Sequence, residues 1–303
     1  MSALKDLQAI QQENKSIICL GLDLDRKRMP SEYAGSTKGM FEFAHRIIDA
    51  TSDLVCAYKP NLAFYEALGS EGLSLLRLIC QRIPRQIPII LDGKRGDIGN
   101  TSTHYAQFLF EYLGGRWVTL NPYMGYDSLR PFLEYKDCGV FILCLTSNSG
   151  SKDFQLLRVD GKPLYQVVAE KVAYWDKEHN CGLVVGATHA DQLRDLREIA
   201  GDMPLLIPGV GAQGGSLERA AVNGTYGFKK TAVINVSRSV LYASAEKDFA
   251  QRARQELEKL NGIINDLRMG KTEDRSSADA EGSATAAANP PASQSLNSNR
   301  NKE

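Results

Sequence analysis

Leu91-Asp92-Gly93-Lys94-Arg95-Gly96-Asp97-Ile98-Gly99-Asn100-Thr101 closes a strongly apolar run, 87–91, and leads into a helical segment predicted to begin near Thr101. In an extended strand, residues two apart point to the same face. Asp92 and Lys94 are therefore expected side by side where the strand ends, with Asp97 and Thr101 following on the loop. Two carboxylates crowding one ammonium at a strand tip is an expensive arrangement to keep without a use. The plainer alternative is a solvated surface ion pair. Polar groups at the equivalent tips elsewhere in the chain decide between the two.

Outward from this stretch, short β-rich runs alternate with longer amphipathic ones. The strand-like runs are 17–24, 54–60, 87–92, 117–121, 140–146, 182–187, 205–208 and 232–236. Helix-like stretches at 39–52, 72–82, 101–113, 163–179, 190–200, 216–222 and 246–267 lie between and after them. Continuous apolar strands alternating with helices argue for a parallel sheet. Eight such units favour closure into a single (β/α)8 TIM barrel of class α/β over an open, doubly wound sheet, with residues 1–269 as the catalytic domain. The tail, 270–303, is built from Ser, Ala, Asn, Asp and Pro, with Leu296 its only large aliphatic residue. It has too little apolar surface to offset the entropy of ordering and is expected to be disordered.

In a barrel of this kind the active site stands on the carboxyl ends of the strands. Those ends read Asp23, Lys59, Asp92 with Lys94, Asn121, Ser147, Thr188, Pro208-Gly209 and Ser237-Arg238. Asp23, Lys59, Asp92 and Lys94 come from three successive tips and suggest an alternating charge network. The run Gly209-Val210-Gly211-Ala212-Gln213-Gly214 formally matches a dinucleotide fingerprint. Lys229 and Lys230, however, stand where an acid should grip a ribose. A phosphate cradle is the better reading, because loops after strands 7 and 8 bind phosphate through backbone N–H groups and Arg238 adds a bidentate cation. A flexible glycine turn without a ligand is the alternative for the glycines alone.

Other features carry less. His45, His104, His179 and His189 lack metal-ligand spacing, and no metal site is expected. Ser147 is not in a nucleophile elbow and suits hydrogen bonding to a polar ligand. Lys and Arg number 36 against 36 acids, so no basic field points to nucleic acid or an anionic membrane. No apolar run reaches bilayer length, and residues 1–16 do not read as a signal peptide. The six cysteines are scattered without a C-x-x-C pair, which suits a reducing, cytoplasmic setting.

The pattern D-x-K-x-x-D-I-x-x-T, carried by Asp92, Lys94, Asp97, Ile98 and Thr101, resembles the signature of the orotidine 5′-phosphate decarboxylase family. Leu22-Asp23, Tyr58-Lys59-Pro60, Pro208-Gly209-Val210-Gly211 and Arg238 match in the same order, and Lys94-Arg95-Gly96-Asp97-Ile98-Gly99 looks like the bacterial and archaeal branch. Two departures are Ser237, where Gly is usual before the phosphate arginine, and Ser149, where Pro is frequent. The resemblance implies cofactor-free decarboxylation of orotidine 5′-monophosphate to UMP in a homodimer, with Asp97 and Thr101 reaching the partner's site.

By the same resemblance, Asp23 and Lys59 would hold the ribose hydroxyls, Lys59 would orient Asp92, and Asp92 would lie against the substrate carboxylate. Lys94 would stabilise and protonate the carbanion at C6, and Ile98 would sit with the substrate-binding residues. Ser147 would read the pyrimidine, while Pro208, Gly209, Gly211, Gln213 and Arg238 would grip the phosphate. Segment 212–225 is expected to be a mobile lid. A Mg2+-dependent sugar-phosphate decarboxylase or aldolase on the same barrel is the nearest rival, and a non-catalytic barrel that binds a phosphorylated ligand is another.

Overall fold

The computed structural model describes residues 2–211 and 214–270. Eight strands form one parallel sheet: β1 (Ile18–Gly21), β2 (Ala57–Lys59), β3 (Ile90–Arg95), β4 (Trp117–Leu120), β5 (Gly139–Leu145), β6 (Cys181–Val185), β7 (Leu205–Pro208) and β8 (Ala232–Val236). Each pairs with its neighbour in sequence, and β8 returns to pair with β1. Single bridges, Tyr58 to Ile89 and Asn61 to Asp92, join β2 to β3 and close the ring. The fold is a (β/α)8 barrel, as the alternation of strand and helix patterns requires. The predicted tail falls on residues 271–303, outside the described residues, apart from Gly270.

The strands are buried along nearly their whole length, which is why they read as continuous apolar runs. Trp117 and Phe141, both inaccessible, stack at 4.5 Å between ring centroids. Around the ring, helices such as Thr37–Thr51, Gly69–Arg82, Ala190–Ala200 and Phe249–Arg268 turn an apolar stripe inward. Ser36 starts the first of these by accepting a hydrogen bond from the Gly39 amide at 3.1 Å. Among the described residues, no helix is long and apolar enough to cross a membrane.

One region departs from the expected pattern. A helix at Ala3–Glu13 spans the amino-terminal mouth of the barrel, where the sequence pattern gives no element. Leu7 and Ile10 are buried beneath it, and Gln11 donates to the carbonyl of Ala232 at the start of β8 at 2.7 Å. Gln8 reaches Thr231 at 2.9 Å, and Asp6 pairs with Arg116 ahead of β4. This end is plugged, and the opposite end is left for chemistry. Of the stretch expected to be a mobile lid, 212–225, residues 212–213 lie outside the described residues. Leu217–Gly224 is a helix, as expected for 216–222, capped by Ser216 and with Leu217, Ala220 and Ala221 buried.

Arg197 holds the β7–β8 quarter together. Its guanidinium is 2% exposed and donates to the carbonyls of Gly201, Met203, Gly224 and Thr231. Burial pulls its pKa down to about 10, which leaves it charged at neutral pH. Those four carbonyls lie in the turns that feed β7 and β8. Arg197→Met keeps the volume of the stem but strands the carbonyls. Urea unfolding is expected to show a loss of about 3 kcal/mol with an unchanged denaturant slope. A loss within about 0.5 kcal/mol would contradict this role.

Candidate active site

The chemistry of the open end begins at an irregularity in β3. Leu91 pairs with Val118 and Arg95 with Leu120, but the register shifts between these pairs. Sequence reading ended the strand at Asp92 and relied on regular alternation to bring Asp92 and Lys94 together. The structure brings them together through this bulge instead, with Lys94 in the left-handed region at φ 46°. Such a conformation is uncommon for a residue with a side chain and is held by its surroundings.

Asp92 is the hub. It is 7% exposed and accepts from Lys59 Nζ at Oδ2, 2.8 Å away. Lys94 Nζ lies 2.6 Å from Oδ1, and Thr119 Oγ1 donates to the same oxygen at 2.8 Å. Burial alone would raise the carboxyl's pKa, but the charges of Lys59 and Lys94 override it and hold Asp92 well below the usual carboxylate range. Lys59 is as deeply buried. Desolvation pulls its pKa down, whereas the negative charges of Asp92 and Asp23 more than reverse this and raise it above the ordinary lysine value. Lys94 differs: its side chain is nearly half exposed and reaches from the buried carboxylate into the open mouth.

Asp23 follows β1 and faces this cluster. Ser237 Oγ donates to Asp23 Oδ2 at 2.7 Å, while Oδ1 is buried and has no hydrogen-bond partner among the described residues. Tyr242 fixes the backbone here by donating to the Asp23 carbonyl at 2.7 Å. After β5, Ser147 packs against Gly186. A Cβ on Gly186 would come within 2.8 Å of the Ser147 amide, so only glycine lets the loops after β5 and β6 approach this closely.

After β7, Gly209 and Gly211 take φ values of 96° and 71°. The turn is tied by Gly211 N–H to the Gly215 carbonyl and by Gly215 N–H to the Gly209 carbonyl. Pro208 ends β7 ahead of it. Arg238 opens a short helix, Arg238–Leu241, directly after β8; it is exposed and its side chain has no ion pair among the described residues. Gln213 lies outside the described residues.

The structure thus brings together Asp23, Lys59, Asp92 and Lys94, with Ser147 and the Pro208–Gly211 turn on the same rim. It does not bring Asp97 to Lys94. The Asp97 carboxylate accepts from the Ile98 amide at 2.8 Å, and Ile98 and Thr101 face outward, Ile98 being 57% exposed. Asn121 is occupied in capping the turn Pro122–Met124. Thr119 is absent from the residues the sequence singles out, and Ser237 stands there as a strand-tip residue and a departure, without its partner Asp23. Alternation from the buried Trp117 puts Thr119 on the inner face, a signal that lies within the strand and not at its tip.

Comparisons with known proteins agree with this architecture. The family model described as "Orotidine 5'-phosphate decarboxylase / HUMPS family" matches residues 16–253. An orotidine 5′-phosphate decarboxylase of Dehalococcoides mccartyi is 48% identical over 272 residues, covering 88% of this chain and 99% of that protein. An OMP decarboxylase structure from Leishmania donovani superposes with a TM-score of 0.76 at 37% identity, covering 88% of this chain and 99% of that one. A UMP synthase structure from Leishmania donovani gives a TM-score of 0.80 at 39% identity. There the match covers 88% of this chain but only 57% of the longer protein.

The Lys59–Asp92 pair also makes a prediction about stability. Removing either partner leaves a buried charge unpaired and is expected to cost about 3–5 kcal/mol, whereas the double variant Lys59→Met/Asp92→Leu costs less than the two singles summed. Asp92 is depressed on folding, so its contribution is present above the unfolded carboxylate value of ~4 and is lost only as pH falls through the lower folded value. Lys59 is raised, so its contribution is present below the unfolded value of ~10.4 and is lost only as pH rises through the higher folded value. The coupling from urea unfolding of the four proteins is therefore expected to be flat from about pH 5 to about pH 9. Decay of the coupling within that window would contradict the geometry.

Proposed function

Since this chain belongs to the orotidine 5′-phosphate decarboxylase / HUMPS family, we propose that it converts orotidine 5′-monophosphate to UMP and CO2, the last step in making the pyrimidine nucleotide. The observation that carries this reading is a carboxylate kept ionised in a buried site, with one partner ammonium reaching from it into the open mouth.

In this reading the substrate's carboxylate lies beside Asp92. Its bond to C6 of the pyrimidine breaks, CO2 departs and the electron pair stays on C6. Lys94 offsets the developing charge and transfers a proton to C6, then recovers one from solvent. A preplaced ammonium needs no reorganisation as the charge forms. Departure of CO2 also relieves the repulsion between two neighbouring carboxylates. No metal or organic cofactor takes part. Lys59 holds Asp92 in place and, with Asp23, binds the ribose hydroxyls; the unpartnered Asp23 Oδ1 is an acceptor suited to a hydroxyl donor. Ser147 hydrogen-bonds the pyrimidine. The Pro208–Gly211 turn, Gln213 and Arg238 bind the phosphate, whose remote binding energy serves to align the reacting carbon.

The reading includes a homodimer in the cytoplasm. Asp97, Ile98 and Thr101 lie on the rim without reaching Lys94, and Tyr123, Met124 and Tyr126 nearby are exposed apolar side chains. A second copy covering this rim would bury them and carry Asp97, Ile98 and Thr101 into the neighbouring site.

Loss of orotidine 5′-monophosphate absorbance, followed with EDTA present, tests the reaction. Wild type is expected to turn over fully, and Lys94→Ala to fall by about 10³-fold or more. Inactive wild type would overturn the assignment, and activity restored only by Mg2+ with a sugar phosphate would replace it. Mixing and reassembling Lys94→Ala with Asp97→Ala tests the shared site. Each mixed dimer holds one intact site, so about a quarter of wild-type activity is expected from two nearly inactive proteins. No recovery, with exchange verified by differently sized tags, would place Asp97 outside the partner's chemistry.

A further inference from the structure

Between the pairs Leu91–Val118 and Arg95–Leu120, β3 runs through three residues, Asp92, Gly93 and Lys94, where β4 has one, Thr119. A bulge of this size leaves backbone groups of the longer strand without ladder partners. The Lys94 N–H is one of them, and it donates instead to Thr119 Oγ1 at 2.9 Å. The same hydroxyl donates onward to Asp92 Oδ1 at 2.8 Å. Its direction is fixed: an ionised carboxylate only accepts and an amide only donates, so the single hydroxyl proton points at Asp92. Thr119 is 1% exposed, so no water competes for either bond. Lys94 Nζ closes the loop on that same carboxylate oxygen at 2.6 Å.

We propose that Thr119 is a positioning residue for the decarboxylation. One hydroxyl pins the backbone of Lys94 in its left-handed conformation and, through the Asp92 carboxylate, sets where the Lys94 ammonium stands before substrate arrives. The inference rests on the function proposed above for what the ammonium then does. Without the hydroxyl the Lys94 N–H loses its partner, and the strained φ of 46° is no longer held from that side. Asp92 Oδ1 keeps only Lys94 as a donor. A displacement of the ammonium of about 1 Å is enough to lower the rate by up to about 10²-fold. Thr119 is buried behind Asp92 and apart from the ribose and phosphate contacts, so substrate affinity should change little.

The test compares wild type with Thr119→Val, Thr119→Ala and Thr119→Ser in kcat, KM and thermal midpoint. Val keeps the branched shape without the hydroxyl, and Ser restores the hydroxyl that Ala lacks. The expected result is a kcat lowered at least ~10-fold in Val and Ala, KM within ~3-fold of wild type, and Ser back within ~3-fold of wild-type kcat. Wild-type kcat in Val or Ala overturns the proposal. Val, Ala and Ser falling together overturns it too, since that pattern marks a packing role. The proton shift of the Lys94 backbone amide, read in the free protein, tests the hydrogen bond without turnover. It should move upfield in Val and Ala and return in Ser, and an unmoved shift overturns the geometry even if the function assigned to the site were wrong.

Discussion

The structure turns on one buried carboxylate. Asp92 stays ionised in a nearly closed site because Lys59 stands against one of its oxygens and Lys94 against the other. Taking three charges partly out of water is unfavourable, and the cost is offset only when each charge has its partners in good geometry. Removing any of them leaves a group that must either find a counter-charge or change its protonation. The arrangement also has a direction. Lys59 is sealed in and serves to hold, whereas Lys94 is half exposed and able to act.

The barrel meets these demands by treating its two ends differently. At the amino-terminal mouth, the helix Ala3–Glu13 plugs the ring, and Arg197 collects four carbonyls from the turns that feed β7 and β8. Rigidity collects there, away from the chemistry. At the carboxyl-terminal mouth, a bulge in β3, glycines after β7 and a glycine beneath Ser147 bend the chain away from regular strand geometry. The bulge brings Asp92 and Lys94 of β3 onto Thr119 of β4, which a regular ladder would hold apart.

Much of this was legible in the sequence, and the exceptions share a cause. Eight apolar runs separated by amphipathic stretches are a direct consequence of strands buried on both faces, so the barrel and most of its strand order followed. Asp23, Lys59, Asp92 and Lys94 were legible because polar residues directly after apolar strands stand out. Thr119 was not, since a threonine inside a strand looks like ordinary β-propensity until its partner across the bulge is known. The bulge itself leaves no simple trace: Gly93 hints at it, but nothing local says that three residues will face one. The helix Ala3–Glu13 is hard to read because its stripe of Ala3, Leu7 and Ile10 is short and the rest of the segment is mostly polar. The helix at Leu217–Gly224 was legible as the amphipathic stretch 216–222, with Leu217, Ala220 and Ala221 buried.

Asp92 is held as a buried anion by two lysines. A carbon NMR titration of its side-chain carboxyl in the free protein measures this directly. The carboxyl shift should stay at its ionised value from about pH 9 down to about pH 4, while exposed carboxylates begin to titrate at the low end. A midpoint for Asp92 at or above the ordinary value of ~3.9 would mean that burial outweighs the lysines and that they do not hold the anion.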